Sequence, residues 1–168
     1  MLGFYPVARV NGEFVLYRTF DERANALERF ETKNRLVLGG DGLTQEEQQE
    51  IKRIVLQSLV AERIFEQYAE EHTALSGVGK AADVVVERTL KDADPDVLPQ
   101  ATKEVYGWSL EEFSKHVLYP RAFQNELKNA IESSGVSFEE FEKTQLTNAE
   151  ISLYTVPWKW ENGQLVSR

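Results

Sequence analysis

The chain has no cysteine among its 168 residues, which excludes disulfide bridges, thiol nucleophiles and cysteine-held zinc in one step. Histidine is nearly as scarce, with His72 and His116 the only two. Neither stands in a metal-ligand spacing such as H-E-x-x-H, and neither has a nucleophile with an orienting carboxylate near it in sequence. Carboxylates abound, but at the spacings of helix caps and solvent faces, without the Asp/Asn loop of a calcium site. The glycine cluster Gly39-Gly40-Asp41-Gly42 precedes a helix, as an anion site does. It lacks the Lys-Ser/Thr ending of a P-loop and it follows a helix, so it reads as a flexible link. These absences predict a protein that is not an enzyme and that needs no cofactor and no metal.

Positive charge is also in short supply. Nineteen Lys and Arg face 28 Asp and Glu, for a net charge of −9. A nucleic-acid surface needs clustered Lys and Arg, so no nucleic-acid partner is expected. Between Asp41 and His72 eight acids face three bases. That run reads as a solvated helix face, with attraction of a basic client as the alternative. Long hydrophobic runs are missing too: nothing approaches the ~20 apolar residues of a membrane span, and there is no signal-peptide core. The chain as given is therefore not expected to insert into a membrane. Its opening, Met1-Leu2-Gly3-Phe4-Tyr5-Pro6, is apolar and aromatic, which fits a boundary just downstream of a removed N-terminal anchor. There is no internal repeat and no low-complexity segment.

What the chain does have is helix punctuation. The capping-box spacing S/T-x-x-E occurs at Thr19/Glu22, Thr44/Glu47, Ser109/Glu112 and Ser137/Glu140. The first start predicts a helix from Thr19 to about Leu38, with Phe20, Ala24 and Leu27 on one face, closed by Gly39 to Gly42. The second predicts the longest helix, Thr44 to about Glu71, roughly 40 Å at 1.5 Å per residue. Its apolar stripe is Ile51, Ile54, Val55, Leu59, Phe65 and Tyr68. Residues 73–80 read as a loop, 81–90 as a short helix although Val84-Val85-Val86 also suits a strand, and 99–106 as another helix that uses Pro99 in its first turn. Ser109 opens a long helix to about Ser133. Gly107 breaks the chain before it, and Trp108 and Phe113 can staple its start. Pro120 falls inside that helix and should kink it by freeing the carbonyl of His116. Ser137 caps a last helix to about Asn148.

Two β elements bracket this helical middle. Val7 to Val10 and Glu13 to Leu16 form a hairpin around Asn11-Gly12, a pair that tolerates the positive φ of a type I′ turn. Ile151 to Val156 alternates with period two, Trp158-Lys159-Trp160 continues the alternation, and Leu165-Val166 can pair back across Asn162-Gly163. An isolated hairpin is marginal in water, so the two termini are expected to pair in one small sheet. The reading is a mainly α fold of about six helices closed by a small antiparallel sheet from the N- and C-terminal hairpins. It treats residues 1–168 as one domain, with a helical core of about 19–148 and β elements at about 7–16 and 151–166.

The aromatic residues are the candidates for function. Tyr106, Trp108, Phe113, Tyr119 and Phe123 gather around the proline-bearing helix, and Trp158 and Trp160 share one face of the terminal strand. Core packing is one reading of them. The other is a groove for apolar side chains of another polypeptide, lined by the same rings partly exposed.

Several of these segments, taken in order, resemble the SurA-type N-terminal chaperone domain. The matching stretches are Val7-Ala8-Arg9-Val10-Asn11-Gly12-Glu13, Thr19 to Arg23, Ile54 to Phe65, Gly107 to Phe113, and Tyr119-Pro120-Arg121 to Leu127. The likeness covers about residues 7–131. It departs from the family at Gly77-Val78-Gly79-Lys80 and at the two prolines that follow. Many relatives add a parvulin-type prolyl isomerase domain, and the residues after Ile131 are too few to hold one. The resemblance implies ATP-independent binding of unfolded or nascent polypeptide clients, in the periplasm or cell envelope, with Tyr106, Trp108, Phe113, Tyr119, Phe123, Trp158 and Trp160 as client-binding residues. Two other readings stand beside it: a non-catalytic module that docks one fixed partner or forms a homodimer, and a degenerate isomerase relative.

Overall fold

Asn11 and Gly12 take φ of 46° and 95°, the positive pair a type I′ turn demands. They fold β1 (Pro6–Val10) back on β2 (Glu13–Leu16). The computed structural model describes residues 5–168. Of the opening stub, residues 1–4 lie outside the described residues.

The strand β2 runs straight into α1 (Tyr17–Val37), whose N-cap is Leu16. This corrects the expected start at Thr19. The sheet does the capping: the Tyr17 N–H donates to the Tyr5 carbonyl at 2.7 Å, which satisfies one donor that a helix start leaves free. Thr19 lies inside the first turn, so the Thr19/Glu22 spacing is no capping box. Thr44 behaves as its motif predicts. Its hydroxyl accepts from the Glu47 N–H, and the Glu47 carboxylate accepts from the Thr44 N–H at 2.9 Å, opening α2 (Gln45–Glu71).

The helix α2 is the axis of the fold. Leu56 and Val60 are fully buried on it, with Ile51, Val55, Leu59, Ile64 and Phe65 beside them. Each such side chain contributes about 1.5–3 kcal/mol by leaving water. Ile54, placed by periodicity in the stripe, is instead 45% exposed. A buried polar residue fixes the hairpin to this axis. Gln67 donates to the Val10 carbonyl at 3.0 Å and accepts from the Asn11 side chain at 3.1 Å.

After a 3₁₀ turn at Thr73–Leu75 comes α3 (Val78–Asp92), which starts three residues before the expected Ala81. Gly79 is therefore helical and not loop. A Cβ there would lie 3.5 Å from the Tyr119 hydroxyl, an ordinary packing distance. The Val84-Val85-Val86 run is helical, with Val84 and Val85 exposed. Next come α4 (Val97–Val105), α5 (Leu110–Phe113), a π-helical turn at Ser114–Leu118, α6 (Tyr119–Ser133) and α7 (Phe138–Asn148). The segments α5, π turn and α6 form one continuous helix, so the described chain has six helices.

The terminal strands correct one further expectation. β3 (Ile151–Leu153) does pair antiparallel with β1, giving the order β2-β1-β3. The hairpin of β4 (Trp158–Glu161) and β5 (Gln164–Ser167) forms a separate two-stranded sheet. Thr155, at φ 54°, and Pro157 break the strand between the two sheets. Side chains of α2 then hold the second hairpin. Gln57 donates to the Gly163 carbonyl at 3.1 Å and accepts from the Leu165 N–H at 2.7 Å. One hydrophobic cluster runs through the molecule, from Val7 and Val10 through Leu56, Phe65 and Leu127 to Trp158 and Leu165. The protein is mainly α, with two small antiparallel sheets.

Candidate binding crevice around the π turn

Proline at position 120 cannot donate to the His116 carbonyl, and its ring would collide with that carbonyl in a regular α-helix. The backbone answers by widening one turn, Ser114–Leu118, to π geometry, so that the Tyr119 N–H donates to the Ser114 carbonyl. Where a kink is expected, the helix carries a π turn. Such turns are frequent at functional sites because they re-aim side chains. His116 lies in this turn and is buried, within hydrogen-bond reach of Arg23 on α1.

His116 belongs to a three-helix polar network. Arg23 of α1 donates from Nε to His116 Nδ1 at 3.3 Å, and from Nη1 to both carboxylate oxygens of Glu62 on α2 at 2.7 Å. Because Nδ1 accepts, the neutral imidazole carries its proton on Nε2. Burial, joined by the charges of Arg23 and Lys115, pushes the His116 pKa below its ordinary value. Glu66, one turn further along α2, is pushed up by burial.

Three cavities of about 400, 440 and 210 Å³ adjoin at this network, and each is walled by both Glu62 and His116. The first runs from β2 to the π turn, between Val15, Leu59 and Tyr119. The second lies between α2 and α6, with Phe65, Val117, Phe123 and Leu146 on its walls. The third opens toward Tyr106 and Trp108, over Leu27, Ile54 and Val55. They share Glu62 and His116 and make one crevice, of which the second and third parts have mainly apolar walls while the first also carries Arg63, Glu66 and Lys115.

The structure gathers most of the predicted aromatics here. Tyr106 stacks on Phe30 at 5.4 Å, on Trp108 at 5.7 Å and against Phe113 at 5.4 Å, and Trp108 lies 5.2 Å from the His116 ring. All four of these aromatic rings are half-buried. Their position is set by Ser109, whose capping box with Glu112 is complete (2.8 and 3.2 Å). Gly107 bends the chain before it at φ 80°. Tyr119 and Phe123 pair at 6.1 Å on α6 and line separate cavities, Phe123 being buried.

Trp158 and Trp160 are elsewhere. Trp158 is buried against α2 and β5, and Trp160 donates from its indole N–H to the Leu146 carbonyl at 3.2 Å. These two are not brought to the crevice. The polar centre of Arg23, Glu62 and His116 was not anticipated from the sequence. The available signal was Pro120, which marks the carbonyl four residues earlier as the place where the helix must change.

No group of three or more His, Asp or Glu able to hold a metal ion occurs among the described residues. No helix among them is long and apolar enough to cross a membrane. The chain matches no family model, no curated protein and no solved structure.

Proposed function

We propose that this protein binds extended apolar segments of other polypeptides in the crevice around the π turn, holding them without ATP as a chaperone does. The observation that carries the reading is the junction of the three cavities at His116 and Glu62. Apolar walls with a few convergent polar groups are the usual make-up of a binding site. The half-buried rings of Tyr106, Trp108, Phe113 and Tyr119 offer apolar area at low conformational cost. The order of segments resembling a SurA-type domain supports the same reading, and with it a location in the cell envelope.

Affinity for any one segment should be modest, because a disordered client loses conformational entropy when it is held. The role is binding and not turnover. The test is suppression of aggregation of a chemically unfolded model protein, run beside direct binding of a fluorescent apolar peptide. The reading expects both, with binding in the micromolar range. Absence of both effects at high micromolar protein would sink it, and prolyl isomerisation above background would overturn the non-catalytic role.

A further inference from the structure

In an antiparallel hairpin, backbone groups point alternately toward the partner strand and away from it. Val10 and Glu13 flank the two-residue turn of β1–β2 and so exchange hydrogen bonds, as do Ala8 and Val15 further along. Arg9 and Phe14 form the pair between them, so the N–H and C=O of Phe14 point away from β1. On the opposite edge of β1 the corresponding groups are used. Arg9 pairs with Ser152 of β3, the Asn11 N–H donates to the Glu150 carbonyl, and the Tyr154 N–H donates to the Val7 carbonyl, both at 2.9 Å. Strand β2 is therefore an edge of the sheet, as β3 is on the other side, and among the described residues no backbone partner meets the outward N–H and C=O of Phe14.

Free edges of this kind are commonly guarded by charge, proline or a covering segment. Here Phe14 is 55% and Leu16 39% exposed. The cavity of about 400 Å³ begins at this edge, walled by Phe14, Val15 and Leu16 on the strand side and by Leu59 and Tyr119 opposite. Its charges are mostly matched. Arg23 is paired with Glu62, and Arg63 lies between Glu13 at 3.3 Å and Glu66 at 3.4 Å. Lys115 is the exception: exposed on the π turn at the cavity wall, it makes no salt bridge with any carboxylate among the described residues. In a chain of net charge −9 this is a local cation facing an open strand edge.

We propose that β2 takes an extended polypeptide segment as an added strand. Its backbone pairs with Phe14, alternate apolar side chains enter the cavity on the face that Val15 shares, and an Asp or Glu side chain reaches Lys115. This rests on the peptide-binding reading and names its mode. It asks for a client in β conformation, apolar at alternate positions and acidic at one of the others.

The probe is a fluorescein-labelled peptide of about eight residues, alternating valine with threonine and carrying one aspartate. N-methylation of its amides at one alternate set of positions should weaken binding about tenfold, and methylation of the other set should change little. Phe14→Pro removes the outward N–H of the edge without touching the hairpin's own bonds, and should weaken binding to a similar extent. Phe14→Ala keeps that N–H and removes only the ring from the cavity wall, so it should weaken binding less than Phe14→Pro does. Lys115→Gln should reduce affinity for the aspartate peptide and leave its asparagine version unchanged. Should Phe14→Pro fail to fold, the methylated peptides on the unaltered protein decide alone. Binding that tolerates both methylation patterns overturns strand addition and leaves peptide binding standing. Equal loss for the aspartate and asparagine peptides overturns the role of Lys115. No binding by the unaltered protein overturns both readings.

Discussion

Ser109 and Ser137 begin nearly identical sequences, Ser-Leu-Glu-Glu-Phe and Ser-Phe-Glu-Glu-Phe, and the fold treats them differently. Ser109 closes a full capping box with Glu112, whereas the Ser137 side chain makes no capping hydrogen bond. Ser109→Ala should therefore lower unfolding free energy by about 1 kcal/mol, and Ser137→Ala by a few tenths at most. Paired urea titrations check this, and equal losses would contradict it. His116 gives a second prediction at this scale. Its folded pKa lies below the ordinary 6.5, so as pH falls through 6.5 the unfolded chain takes up the proton first and stability declines. Protonation also costs the Nδ1 acceptor that Arg23 uses. Glu66 works the other way. Its pKa is raised, so proton uptake by the folded state begins above 4.5 and offsets part of the loss at lower pH. The urea midpoint should thus fall between about pH 7.5 and about pH 5.5, and His116→Gln should flatten that fall. An equally steep fall in the variant would remove His116 from the explanation.

Among the elements, the C-terminal hairpin is held by its turn as much as by its strands. Asn162 and Gly163 adopt φ of 52° and 84°, and a Cβ on Gly163 would lie 3.1 Å from the Cβ of Leu146 on α7. Gly163→Ala combines left-handed strain of about 1–2 kcal/mol with that collision. It should lower the melting temperature and shift the emission of Trp158 and Trp160 toward that of exposed tryptophan; unchanged emission would show that the turn does not set the docking. This hairpin also shows where sequence reasoning stopped. Alternation located its strands, and Asn162-Gly163 located its turn. The partner they dock against depends on Gln57, more than a hundred residues away, whose side chain is indistinguishable in sequence from a solvated one. The start of α1 was missed for a related reason. A capping motif at Thr19 was legible, but the Tyr5 carbonyl that caps the helix earlier is a tertiary contact. Gly77 and Gly79 pointed to a loop by composition, while in the fold Gly77 is the N-cap of α3 and Gly79 lies in its first turn, where the helix packs on α6.

At the scale of the whole molecule, the mainly helical class and the β elements at both ends follow from periodicity, caps and turn residues, each acting over a few positions. The crevice was only half legible. Tyr106, Trp108, Phe113 and Tyr119 were marked by composition and do line or border it. Its centre, Arg23 with Glu62 and His116, joins three helices that are remote in sequence. Pro120 follows the π turn that carries the buried His116. The most direct measurement of the central claim is amide chemical-shift mapping of the folded protein during titration with an extended apolar peptide. The account predicts shifts centred on Leu59, Glu62, His116 and Val117, with Trp158 and its hairpin unmoved. Shifts centred on that hairpin, or none at saturating peptide, would contradict it.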